Sequence, residues 1–552
     1  MSRNSLCEIA SLILAAASVG LTQSAPTVAV ASGSLVGSRT GPASAAFLGI
    51  PYAAPPVGPL RWKPPQPAAK WGARRDATQF GSPCAQLPAR WFHYTPGRED
   101  CLYLNVWTPQ LSAAAKLPVL VYFHGGSNTQ GYSQMDHIGP SLSRHGLIVV
   151  SANYRLGPFG FLAHSTLSAE SPHHSSGNYG LLDQLQVLKW VGENIAHFGG
   201  DPTHVTVMGQ SAGAFDACLL MASPLATGLF QAAILQSGEC QSVLNKDLRT
   251  PIPFNLISGT GEGSGERLAH DLQITGPDTL QKLRATPADQ ILQAWSHDPE
   301  LHFDAIVDGW VVPAQPAQIF ADGRQLPIPV LVGSNADEAT VFGHNDVTTM
   351  AQYKDYLRRD SGNFYDEEFR VYPVASDADV PARYLQLQSD TFAYAAYSLA
   401  QAVTRSGQRA YLYYFTYADT GKRAALGAHH GEELFFLGEN FPVSWEPNKE
   451  DQSFGETLRT YWTQFAKTGN PNGAAPVKTR LAASPPRWPA YAASKKESFE
   501  LGRRIGPRPI DDHIQRLEEI EQRVETEALH PDLRRTTRPA TEKGAASNAA
   551  VN

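Results

Sequence analysis

A serine hydroxyl is a useful nucleophile at neutral pH only when a histidine takes its proton and a carboxylate holds that histidine in the right tautomer. Backbone N–H groups aimed at the developing oxyanion complete the set, one such donor being worth roughly 10²–10³ in rate. The 552-residue chain offers a candidate for each part. In chain order they are His124-Gly125-Gly126-Ser127, Gly209-Gln210-Ser211-Ala212-Gly213, Glu338 and His430. Ser211 is the candidate nucleophile, His430 the candidate base, and Glu338 the acid that orients it. The glycine turn at 124–127 is the candidate source of oxyanion N–H groups. The pentapeptide around Ser211 is weak evidence by itself. With 46 glycines in the chain, roughly one such sequence in four would carry it by chance.

The elements that must position these groups raise the odds. Ser211 follows VTVM (205–208), a buried-strand pattern, and precedes AFDACLLM (214–221), a helix pattern. That is the strand–turn–helix setting of a nucleophile elbow, with glycines for the sharp turn. LPVLVYF (117–123) runs into the HGGS turn, LIVVSAN (147–153) into Tyr154-Arg155, and IPVLV (328–332) into the segment holding Glu338. AYLYYFTY (410–417) precedes the loop of His429 and His430. Near-continuous apolar strands alternating with helical stretches predict an α/β fold, a large and mostly parallel sheet with helices on both faces. In such sheets ligands bind beyond the carboxyl ends of the strands, where all four candidates lie. The order glycine turn, Ser, Glu, His is that of the α/β-hydrolase fold.

Residues 255–300 and 345–400 read as helical insertions around the mouth of the site. Residues 27–39 read as an edge hairpin, and the proline-rich 47–67 as an extended surface loop. Apolar residues at 510, 514, 517, 520 and 524 have the spacing of an amphipathic helix. The predicted organisation is a signal peptide over 1–25, a catalytic domain over 26–505, a C-terminal helix over 506–530 and a disordered tail over 531–552.

The net charge of −7 gives no basic footprint for nucleic acid. The apolar stretch 9–21 after Arg3 is too short to span a bilayer and reads as a secretory signal, pointing to a secreted or periplasmic protein without a transmembrane segment. Its removal takes Cys7 and leaves Cys84, Cys101, Cys218 and Cys240; Cys84 and Cys101 would close a short loop, and Cys218 reads as a buried free thiol. His173-His174 sits in a Ser-rich loop without a ligand pattern, so neither a metal nor a cofactor is expected.

On its motifs the chain resembles the type-B carboxylesterases, the α/β-hydrolase family that includes cholinesterases and bile-salt-activated lipases. The resemblance spans about residues 27–491 and rests on stretches such as FLGIPYAAPPVGPLRW (47–62), EDCLYLNVWTP (99–109), NYRLGPFGFL (153–162), FGGDPTHVTVMGQSAG (198–213), DEATVF (337–342) and HGEELFFLG (430–438). It implies the Ser211–Glu338–His430 triad, the Gly126, Ser127 and Ala212 oxyanion hole and hydrolysis of a small-molecule ester. The HG register selects His430 over His429. The resemblance also implies a Cys84–Cys101 disulfide, ion pairs Arg61–Glu99 and Arg155–Asp183, and a supporting role for Glu433 near the histidine loop. Three positions depart from the common pattern: Ser127 replaces a third glycine, Asn128 an aromatic, and Gln210 a glutamate. The hydroxyl and amide at 127 and 128 predict a smaller or more polar acyl pocket. A neutral Gln210 beside the imidazolium selects less for cations, so the expected substrate is an uncharged or anionic ester. A carbamate, amide or detoxifying hydrolase with the same triad, and a non-catalytic adhesion relative, are the competing readings. The sequence leaves the oligomeric state open.

Overall fold

The computed structural model describes residues 24–529 except 89–96, 241–244, 252–258, 343–345, 420, 422 and 474–484. The tail reading and all but the last two residues of the signal-peptide reading therefore fall outside the described residues.

Among the described residues eleven strands form one mixed sheet. In chain order they are β1 (Ser38–Arg39), β2 (Ala45–Pro51), β3 (Tyr103–Thr108), β4 (Leu117–Phe123), β5 (Ile148–Ala152), β6 (Gly200–Gln210), β7 (Ala232–Gln236), β8 (Val330–Asn335), β9 (Ala410–Phe415), β10 (Glu497–Leu501) and β11 (Ile505–Pro509). Across the sheet they run β11-β10-β9-β8-β7-β6-β4-β5-β3-β2-β1. The seven strands from β10 to β5 are parallel, with antiparallel pairs at both flanks. A separate small sheet is formed by Thr27–Val30, Gly33–Val36 and Arg75–Asp76.

Strand alternation divides the interior into two cores. From β4, Val119, Val121 and Phe123 enter one core, and Leu120 and Tyr122 the other. Ile148, Val150, Val205 and Val207 follow the first set, Val149 and Met208 the second. The side chains are buried on both faces because helices cover both. On the first face lie α1 (Tyr179–Asn194), α2 (Ala212–Ala222) and part of the 26-residue α5 (Val380–Arg405). The short α6 (Glu432–Gly438) and the long α7 (Lys449–Thr468) cover the other. Helices α3 (Met350–Asp360) and α4 (Tyr365–Val371) precede α5, and α8 (Asp512–Leu529) ends the described chain. α8 lays Ile514 and Leu517 into the first core and packs along α5. Among the described residues no helix is long and apolar enough to cross a membrane.

Three expectations are corrected. Residues 47–51 are not loop: they belong to β2, where Phe47 and Ile50 are fully buried. The prolines that argued for loop begin only at Pro51, and Gly49 sits in a register irregularity between Phe47 and Ile50. The sheet extends through β10 and β11 to Pro509, past the expected boundary at 505. Cys218 is not a free thiol but is bonded to Cys240, with Cα atoms 5.5 Å apart. Its helix passes the loop leaving β7, a neighbour set by the sheet order and invisible in the local sequence. Cys84 and Cys101 are also bonded, at a Cα separation of 4.9 Å.

Candidate active site

β6 ends at Gln210, and Ser211 takes φ 56°, ψ −128°, a conformation that costs of order 1–3 kcal/mol for a residue with a side chain. The Ser211 N–H is held by the Gln236 carbonyl at 2.8 Å, and its own carbonyl starts α2 by accepting from Ala214 and Phe215. The flanking glycines are there for contact. A Cβ on Gly209 would lie 2.2 Å from the Gly213 backbone, and one on Gly213 would lie 2.2 Å from the Phe123 carbonyl oxygen. Gly238 presses on the same turn, its Cβ position 2.1 Å from the Ser211 oxygen.

The turn after β4 abuts this elbow, a Cβ on Gly125 falling 3.0 Å from that of Ser211. Gly126, Ser127 and Asn128 all have positive φ, of 113°, 55° and 54°. Among the described residues no group accepts from the N–H of Gly126 or Ser127, and Ala212 opens α2, where an N–H has no partner within the helix. Buried His124 braces the turn from below. It stacks on Tyr154 at 4.6 Å, and burial lowers its pKa to about 4.

Asn128 corrects an expectation. Its amide does not line a pocket; it is fully buried and donates to Asp216 at 2.9 Å and Asp304 at 2.8 Å. Asp216 also accepts from Gln184 at 2.5 Å, and burial pushes its carboxyl up to about 8. Ser127, by contrast, is exposed.

β8 delivers Glu338, which is fully buried; Oε1 accepts the Asn335 N–H at 2.7 Å, and Oε2 lies 2.5 Å from His430 Nδ1. The other imidazole nitrogen, Nε2, faces the Gln210 amide at 3.0 Å. Phe342 and Phe392 flank the ring, their centroids 4.9 and 5.2 Å away. His429 is turned elsewhere: Nδ1 contacts the His430 carbonyl at 2.9 Å, Nε2 contacts Arg423, and burial lowers its pKa to about 4. Behind the pair, Glu433 accepts from Asn335 at 2.6 Å and Gln236 at 2.8 Å, and Trp462 locks Gln236 at 3.1 Å. Burial, then the Glu338 charge, raises the Glu433 carboxyl to about 7. The structural ion pairs are bidentate, Arg61 on Glu99 at 2.5 and 2.7 Å and Arg155 on Asp183 at 2.7 Å twice.

Three loops from the carboxyl ends of β4, β6 and β8 and the loop after β9 thus bring together the glycine turn, Ser211, Glu338 and His430. Sequence reading missed Phe342, Phe392, Asn335, Gln236 and the Asp216–Asp304 pair. Asn335, three residues before Glu338, was the nearest to a visible signal; the others meet only in the fold.

This sheet order with an elbow after a central strand defines an α/β-hydrolase. The chain belongs to the carboxylesterase family, whose model matches residues 24–516, and it is a carboxylesterase. It is 36% identical to the fumonisin B1 esterase of Sphingopyxis macrogoltabida, over 77% of this chain and 79% of that one. Identity to the para-nitrobenzyl esterase of Bacillus subtilis is 34%, over 83% and 91% of the two chains. Among solved structures, a PNB esterase superposes with a TM-score of 0.75 at 30% identity, covering 90% of this chain and all of that one. A Geobacillus stearothermophilus carboxylesterase gives 0.75 at 31%, covering 90% and 99%.

Proposed function

We propose that Ser211, His430 and Glu338 hydrolyse an uncharged or anionic carboxylic ester through an acyl-enzyme. The observation that carries this is the 2.5 Å contact of Glu338 with His430 Nδ1, which leaves Nε2 as the basic nitrogen beside the elbow. Ser211 Oγ attacks the ester carbonyl carbon and its proton passes to Nε2. The N–H groups of Gly126, Ser127 and Ala212 hold the oxyanion. Collapse expels the alcohol, which takes the proton from Nε2. Water then repeats the sequence on the acyl-serine and releases the acid. Glu338 holds the imidazolium without taking its proton. The neutral Gln210 amide beside Nε2 supports the preference against cations, and exposed Ser127 supplies a polar hydroxyl at the oxyanion turn.

The test is a p-nitrophenyl ester chain-length series with a fluorophosphonate label. Turnover and labelling, both abolished in Ser211→Ala with the fold retained, are expected. A variant that keeps its turnover would sink the assignment.

A second reading, a hydrolase specialised for a toxin ester or for a carbamate or amide, is supported by the 36% identity to a fumonisin B1 esterase. It predicts a higher kcat/KM on fumonisin B1, or on a carbamate or amide analogue, than on any member of the p-nitrophenyl series. The two disulfides support a secreted or periplasmic location, since thiols stay reduced in most cytosols. Fractionation of the producing cells tests that.

A further inference from the structure

Asp360, Glu368 and Glu521 come from three different helices, α3, α4 and α8. One carboxylate oxygen from each lies within 4.8 Å of the other two. Like charges at that spacing repel, so the fold gathers them only with a cation or bound protons between them. Glu368 is fully buried, and neither of its oxygens has a hydrogen-bond partner. The neighbouring Ser361 hydroxyl spends its proton on the Leu357 carbonyl at 3.0 Å. Among the described residues no lysine or arginine pairs with Asp360 or Glu368; Arg523, on α8, pairs with Glu367 instead.

A buried carboxylate with two unused oxygens, aimed into a group of acids, asks for a cation. We propose that Asp360, Glu368 and Glu521 bind one hard divalent cation of the calcium class. The donors are all oxygen, with no imidazole or thiolate to favour zinc or copper. Oxygens on opposite sides of a calcium ion, each about 2.4 Å from it, are about 4.8 Å apart, so the spread of these three fits one ion. Without the ion, protons would have to do its work: burial raises Asp360 to about 6, and burial with the Asp360 charge raises Glu368 to about 8. A proton on Glu368 still leaves an O–H with nothing to donate to. No sequence pattern marks this site, because its ligands are eight and 153 residues apart along the chain and meet only when α8 packs on α4. The bound ion ties α8 to α3 and α4. α8 and α3 both pack on α5, the helix that carries Phe392 to the His430 ring. Its effect is on stability and not on the chemical step.

The full-length protein, stripped with chelator, tests this by terbium titration. Tyr356 donates to Asp360 at 3.2 Å and is placed to sensitise terbium emission. Expected are emission saturating at one equivalent, displacement by calcium well below the magnesium concentration needed, and a melting temperature several degrees higher in millimolar calcium. Glu368→Gln and, separately, Asp360→Asn should weaken terbium binding at least tenfold and abolish the calcium shift, with p-nitrophenyl ester turnover unchanged at 25 °C. No sensitised emission, undiminished binding in a variant that folds, or equal displacement by magnesium would overturn the proposal. Turnover is read separately, so failure of the metal site and failure of the esterase assignment give different results.

Discussion

The side-chain amide of Gln210 lies 3.0 Å from Nε2 of His430, the nitrogen that faces the nucleophile elbow. With Nδ1 engaged by Glu338, Nε2 carries the lone pair and the amide donates to it. Under the proposed triad, this neutral donor caps the resting base and Ser211 would have to displace it.

A carboxylate at position 210 would reverse that polarity. Gln210→Glu is expected to raise kcat/KM for a cationic ester about tenfold relative to a neutral ester of the same size. A unit charge about 5 Å away contributes up to about 3 kcal/mol at an effective dielectric of about 20, and solvent in the site reduces this. The same variant should lose turnover on anionic esters. The measurement is a three-member panel matched for leaving group, and an unchanged rank order would show that Gln210 does not set charge preference.

Glu338→Gln keeps the size of the side chain and the bond from Asn335 N–H. It can also present an N–H to Nδ1, which then becomes the acceptor and moves the imidazole proton to Nε2. A histidine protonated there cannot take the proton of Ser211, so kcat is expected to fall about 10⁴-fold with KM little changed. A loss under tenfold, with folding intact by circular dichroism, would remove Glu338 from the assignment.

The chain order of the glycine turn, Ser211, Glu338 and His430 was legible because each sits at the end of a strand with an apolar signature, and the sheet order then brings those ends together. β10 and β11 were not legible: ESFEL has only two apolar residues, set among charged neighbours, and two prolines in IGPRP argue against strand. They pair because the sheet edge at β9 offers a partner. Asn128 was misread for a related reason. Its type was visible, but the direction of its amide is set by Asp216 on α2 and by Asp304, 176 residues away. Cys218 likewise finds its partner only across the elbow.

Asp216 gives a pH-dependent outcome. Burial raises its folded-state pKa to about 8, against about 3.9 in an unfolded chain. The folded form therefore holds the proton more tightly. The stabilisation this provides is full below about pH 4 and is lost as pH rises through about 8. Asp216→Asn keeps the shape without titrating and gives the buried Gln184 carbonyl oxygen, which has no partner, a donor. Between pH 5 and 9 the wild-type melting temperature should fall more steeply than the variant's, the gap widening with pH. Parallel curves would mean that Asp216 stays ionised in the folded protein.

The Cys218–Cys240 bond closes a span of 22 residues that contains the end of α2 and all of β7. Loop-closure entropy for that length corresponds to about 3 kcal/mol of stability. Cys240 follows Gly238, whose backbone rests on the Ser211 carbonyl, so the bond also holds one wall of the elbow. The double variant Cys218→Ser, Cys240→Ser should show a lower denaturant midpoint with a slope at least as steep as the wild type's, and faster loss of activity on heating. Its kcat at 25 °C should stay within a few-fold of wild type, because β6, β7 and the Gln236–Ser211 hydrogen bond still place Ser211. A midpoint equal to that of the wild type would show that packing alone secures the loop after β7. A collapse of kcat at 25 °C would show that the bond positions Ser211 directly.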